Sequence, residues 1–187
     1  MITAFLVSVA AVAVGEIGDK TQLLALMLAA RYRQPWPILA GILCATLANH
    51  TLAGALGTWV RHAIDPRVLR FAVALAFFIV AVWALKPDRL EEKDVHASRL
   101  GVFAVTTVAF FLAEMGDKTQ IATAILAARY DAIVAVVAGT TLGMLIADAP
   151  VVFAGKLAAG RIPFAAVRKL AAGLFIVLGV WVLWRGI

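Results

Sequence analysis

A seven-residue segment occurs twice in this chain with one change, as Glu16-Ile17-Gly18-Asp19-Lys20-Thr21-Gln22 and as Glu114-Met115-Gly116-Asp117-Lys118-Thr119-Gln120. Both copies sit inside long apolar stretches, where an ionisable side chain is costly and is read first as functional. With Asp148, these stretches hold five acids against two lysines, so some further positive charge must balance them. On a helix, Glu16 and Asp19 fall at i,i+3 on one face, and Gln22 continues it. Glu114, Asp117 and Gln120 repeat the pattern. Gly18 and Gly116 remove a side chain between the acids, which permits close backbone approach or local unwinding. Brought together, the copies supply four carboxylates, the amide oxygens of Gln22 and Gln120 and the hydroxyls of Thr21 and Thr119. Such an all-oxygen set suits calcium, magnesium or manganese and is poor for copper(I) or zinc. Lys20 and Lys118 then read as fixed counter-charges that occupy carboxylates when no cation is bound. The bland alternative pairs Glu16 with Lys20 and Glu114 with Lys118 at i,i+4 as structural ions.

Two further positions support this set. Asp148 and His50 are equivalent in the duplication. A lone buried carboxylate costs several kcal/mol, so Asp148 reads as functional, and Pro150 beside it removes a backbone donor. His50 is open to three readings: satisfied polar contact, ligand or proton carrier. Arg31 and Arg129 recur with the motif at span ends and read as anchors. The single cysteine, Cys44, excludes a disulfide framework and a cysteine-built metal site.

The elements that must position these residues follow from composition. The 187 residues are 64% hydrophobic, with a mean hydropathy of +0.97. Soluble domains sit near 45–50% apolar. A bilayer span needs roughly 20 apolar residues, so six spans would leave only short loops and no soluble catalytic domain. Lipid cannot satisfy backbone polar groups, and the apolar runs lack the alternation of barrel strands, so the spans must be helices. The duplication extends at a constant offset of 98, and segments 16–32 and 114–130 match at 11 of 17 positions. Each unit divides into three apolar segments: Ile2–Ala30, Pro37–Val60 and Val68–Leu85, then Leu100–Ala128, Ile133–Gly155 and Val167–Trp184. Met1–Gly15 reads as the first half of a membrane helix, not as a signal peptide, because no basic residue precedes it. The expected fold is all-α integral membrane, with six transmembrane helices as two inverted three-helix repeats. Residues 1–86 form the first repeat, 87–99 a charged linker and 100–187 the second repeat.

Orientation follows from the basic residues. Ten Lys and Arg fall on the linker side and five on the side of the termini, with Lys20 and Lys118 inside the membrane. The linker is therefore expected in the cytoplasm and both termini outside. Three spans per unit is an odd number, so the second unit enters from the opposite face. Secondary transporters recurrently place a site where such inverted repeats meet at mid-membrane. The formal charge of +6 is mostly topology and lipid contact, not nucleic-acid binding. Trp36, Trp59, Trp83, Trp181 and Trp184 read as interface anchors, and Gly139 with Gly143 as a close helix contact.

The doubled E-x-G-D-[KR]-[ST] motif, in six spans with a central charged linker, resembles the manganese and calcium transporters of the eukaryotic Golgi and the bacterial manganese exporters. Both copies fit without departure. The resemblance implies a divalent cation/proton antiporter whose motif acids form the ion site. No nucleotide-binding loop G-x-x-x-x-G-K-[ST] is present, so an ion gradient is the expected driving force. The expected partners are a divalent cation, protons and the bilayer of a bacterial inner membrane. A homodimer is open, and no permanent cofactor is expected. The alternatives are an exporter of small organic cations or amino acids, disfavoured by the small aliphatic neighbours of the motif, and an intramembrane metal-dependent enzyme. For the enzyme, Thr21 and Thr119 lack a His or Ser partner base. A non-transporting assembly subunit is disfavoured by four symmetric buried acids.

Overall fold

A computed structural model describes residues 1–86, 101–154 and 164–186. The predicted linker, 87–99, lies outside them. The described residues form eight helices and no strand: α1 (Ile2–Glu16), α2 (Lys20–Tyr32), α3 (Pro35–Ala63), α4 (Pro66–Ala84), α5 (Val102–Glu114), α6 (Lys118–Tyr130), α7 (Ile133–Ala154) and α8 (Phe164–Arg185). Prolines open α3 and α4, where the first turn has no use for their missing N–H. Asp65 caps α4 by accepting from the Arg67 N–H at 2.8 Å.

Helices α3, α4 and α7 are each long and apolar enough to cross a membrane, and α1 with α2 qualify together as one span bent by 70°. The local unwinding that Gly18 and Gly116 permit takes the form of a break in each motif. The chain breaks at residues 17–19 and again at 115–117. Large apolar side chains cover the outside, among them Leu52 and Leu56 on α3 and Phe71, Leu75 and Ile79 on α4. The charged motif residues lie inside, an inversion of the usual soluble pattern that suits a lipid surround.

Packing between the halves is reciprocal. Helix α1 lies along α7, and its counterpart α5 lies along α3. A Cβ on Gly139 would sit 2.5 Å from the Phe5 carbonyl oxygen, and one on Gly41 would sit 2.9 Å from that of Phe103. At the offset of 98 these are the same contact made twice, and Gly143 extends the first against the Val9 carbonyl. Small residues at such crossings let helix backbones approach. Helices α4 and α8 meet through Phe77 and Phe175, also repeat equivalents, whose rings stack 6.4 Å apart. That pair heads one core cluster. A second, around Ile38, Ile42 and Phe110, joins α2, α3 and α5.

Candidate metal centre

Each break is a four-residue turn specified by the motif. The Asp19 N–H donates to the Glu16 carbonyl at 3.0 Å, and the Asp117 N–H to that of Glu114 at 3.0 Å. Ile17 has φ −63° and ψ 116°, and Gly18 has φ 84°. Met115 and Gly116 repeat this, with φ −62°, ψ 118° and φ 75°. These are type II turns, which need a positive φ at the third residue and hence glycine. Asp19, the fourth residue, caps α2 by accepting from the Lys20 N–H at 2.6 Å. Gln22 at the third position of α2 reaches back, its Oε1 accepting from the Gly18 N–H at 2.9 Å. Gln120 does the same for Gly116 at 2.7 Å. Each copy thus ends one helix, turns and starts the next, and in the first copy Asp19 adds a side-chain cap.

This geometry corrects the single-face expectation. Glu16 closes α1 while Asp19 opens α2, so the turn, and not an i,i+3 helical spacing, brings them together. Gln22 folds back onto the turn instead of extending a ligand face. The i,i+4 ion pairs are replaced by crossed ones, because Glu16 and Lys20 no longer share a helix. Lys118 Nζ lies 2.9 Å from Asp19 Oδ2, and Lys20 Nζ lies 2.9 Å from Asp117 Oδ1. Each lysine answers the aspartate of the other half.

Carboxylate oxygens of Glu16, Asp19 and Asp117 lie within 4.8 Å of one another, and all three residues are buried. They come from both halves, and their oxygens are hard donors suited to a divalent cation. Thr21 Oγ1 donates to Glu16 Oε2, and Thr119 Oγ1 donates to Glu114 Oε2 at 3.1 Å. Each threonine thus orients its own half's glutamate and leaves the other oxygen unbonded. Glu114 is fully buried but stands outside the tight three-acid group.

Around the centre the symmetry continues with altered chemistry. Gln22 Nε2 donates to the Ala147 carbonyl at 3.0 Å. In the other half Gln120 Nε2 donates at 3.5 Å to Oδ1 of Asn49, the repeat equivalent of Ala147. Asn49 is itself held by donating to the Phe111 carbonyl at 3.0 Å. It is a site residue the sequence reading left in the background, although its place beside His50 was a usable signal. Asp148 and His50 are both fully buried on α7 and α3, with no hydrogen-bond partner on either carboxylate oxygen or either ring nitrogen. Asp148 lies within electrostatic reach of Glu16 and Glu114.

Known proteins resemble this chain along most of its length. The family described as "Divalent cation/proton antiporter GDT1" matches residues 4–92 and 102–187. A Vibrio cholerae protein named "Putative manganese exporter" is 50% identical over 93% of this chain and 87% of its own length. A Synechocystis protein named "GDT1-like protein sll0615" is 31% identical over the whole of both chains. In rice, "GDT1-like protein 4" is 30% identical over 92% of this chain and 70% of its own. No solved structure matches.

Proposed function

The chain belongs to the GDT1 divalent cation/proton antiporter family, and from that premise we propose that it exports a divalent cation in exchange for protons. Manganese is the first expected cargo and calcium the second. The observation that carries this reading is the buried group of Glu16, Asp19 and Asp117, which draws on both copies of the motif.

In this reading the lysines stand in for the cargo. Ionised carboxylates away from water are tolerated only when paired. Lys118 and Lys20 supply that pairing for Asp19 and Asp117 in the ion-free protein. A divalent cation entering among Glu16, Asp19 and Asp117 displaces ammonium groups and any protons on the acids. Glu114 and Asp148, buried close by, add capacity for charge or protons. Protons and cation compete for one set of oxygens, so their fluxes are coupled. Gln22 and Gln120 keep the turns in shape and offer amide oxygens at the edge of the site.

The proposed architecture is six spans in two inverted repeats, with each broken helix counted as one span. The reciprocal contacts of α1 with α7 and of α5 with α3 support it. The cytoplasmic side carries the linker, and the halves rock about the fixed site. Flux into proteoliposomes containing a lumenal pH dye tests the proposal. Manganese entry with proton exit is expected from the wild type, and neither from Glu16→Gln or Asp117→Asn. Wild-type rates in both variants would overturn the site.

A further inference from the structure

Two helix ends that the duplication makes equivalent differ in the structure. At one, the C-terminal end of α6 is closed onto the end of α3. Arg61 Nη1 donates to the carbonyls of Ala128 at 2.8 Å and Arg129 at 3.2 Å, and its Nε lies 3.4 Å from Asp131 Oδ2. The last carbonyls of a helix lack partners and carry partial negative charge, so a forked cation suits them. Gly57, one turn before Arg61, allows this closure, since a Cβ there would collide with the Ala124 carbonyl. Gly54 packs against Ile133 and Val137 just below.

At the other end, α2 stands away from α7. A cavity of about 370 Å³ opens there, lined by Ala29, Ala30, Arg33, Gln34, Val152 and Phe153 among others. At the offset of 98, Ala30 corresponds to Ala128 and Val152 to Gly54. Among the described residues, the α3–α6 end is therefore closed, and the α2–α7 end leaves this cavity. The sequence carries alanine at position 159, the equivalent of Arg61. The lysines follow the same asymmetry. Lys20, on the parted helix, keeps 24% exposure, and Lys118, on the closed helix, 4%.

We propose that Arg61 is a positioning residue that latches α6 onto α3 and so keeps one gate shut while the α2–α7 end stands open. This rests on the transport reading. With the α2 C-terminus on the cytoplasmic side, the described state faces inward, the state in which an exporter loads its cargo. Release of Arg61 from the α6 carbonyls is then the event that opens the site outward.

Labelling with a membrane-impermeant maleimide tests this, using the full chain in oriented membrane vesicles with Cys44→Ala as background. Ala30→Cys is expected to label from the cytoplasmic face, and Ala128→Cys to be protected from the outer face. Adding Arg61→Ala should raise labelling of Ala128→Cys about fivefold or more and slow that of Ala30→Cys, as a shift between two states requires. Arg61→Lys, which keeps the charge but loses the fork, should fall between. Equal labelling of the two cysteines with Arg61 present overturns the proposal, as does an Ala128→Cys rate that Arg61→Ala leaves unchanged. If Arg61→Ala fails to reach the membrane, Arg61→Lys decides by the same criterion. Absent cation flux in the parent protein would instead sink the transport reading, and the labelling asymmetry would still decide the latch.

Discussion

Lys118 pairs with Asp19 of the other half and not with Glu114 four residues before it, at an Nζ to Oδ2 distance of 2.9 Å. The reciprocal bond joins Lys20 to Asp117 at the same distance. Four charges from two separate turns thus form one crossed arrangement.

The two crossed pairs should differ in weight. Breaking a buried ion pair leaves an uncompensated charge and costs about 3–5 kcal/mol. Lys118 is buried and Lys20 partly exposed, so Lys118→Met should lower the melting temperature in detergent more than Lys20→Met. Adding Asp19→Asn to Lys118→Met should restore much of the loss. A double variant no more stable than Lys118→Met alone would show that the pair is not coupled.

Cation binding should be visible as stabilisation. A ligand at 100 times its Kd adds about 2.7 kcal/mol to the state that binds it. Manganese should therefore raise the melting temperature of the wild type. Glu16→Gln and Asp117→Asn, which each remove a donor from the three-acid group, should lose that rise while still folding. Retention of the full shift in both variants would count against the group as the binding site.

Gly116 gives a clean test of the turn. A Cβ there meets nothing within 4 Å, yet φ is 75°. Gly116→Ala therefore costs only backbone strain, about 1–2 kcal/mol. Gly116→Asn should cost less, because asparagine tolerates the left-handed region. Melting of the two variants side by side checks the order.

The glutamines should separate by their second hydrogen bond. Gln22→Ala loses a 3.0 Å bond to the Ala147 carbonyl as well as the acceptor for Gly18. Unmade buried hydrogen bonds cost about 1–3 kcal/mol. Gln120→Ala gives up a longer contact, 3.5 Å to Asn49, and should destabilise less. Equal losses would mean that the turn bond alone matters.

Much of the centre was legible in the sequence because the duplication wrote it twice. Two glycines at the same place in two acidic motifs signal a backbone event, and both sit in type II turns. Gly139 and Gly143 were readable as a close contact, and they meet α1. The crossing of the lysines was not readable. Spacing along one helix offers only Glu16 as a partner for Lys20, the bland alternative, and the 70° bend removes that spacing. Arg61 counted in the sequence merely as a charge at one face. Its bonds to Ala128 and Arg129 arise from the approach of α3 to α6, which no local pattern encodes. Asn49 escaped notice because its partner, Gln120, comes from the other half.

The Phe77–Phe175 stack has a consequence for ancestry. Before duplication these were one phenylalanine in one three-segment chain, and a ring can stack on its own equivalent only across two copies. The same holds for the lysine that answers the other copy's aspartate and the glycine that admits the other copy's backbone. A single unit standing alone would leave each of these contacts without its partner. Carrying both units in one chain supplies that partner within the molecule. It released the two copies from identity, so that one now carries His50 where the other carries Asp148.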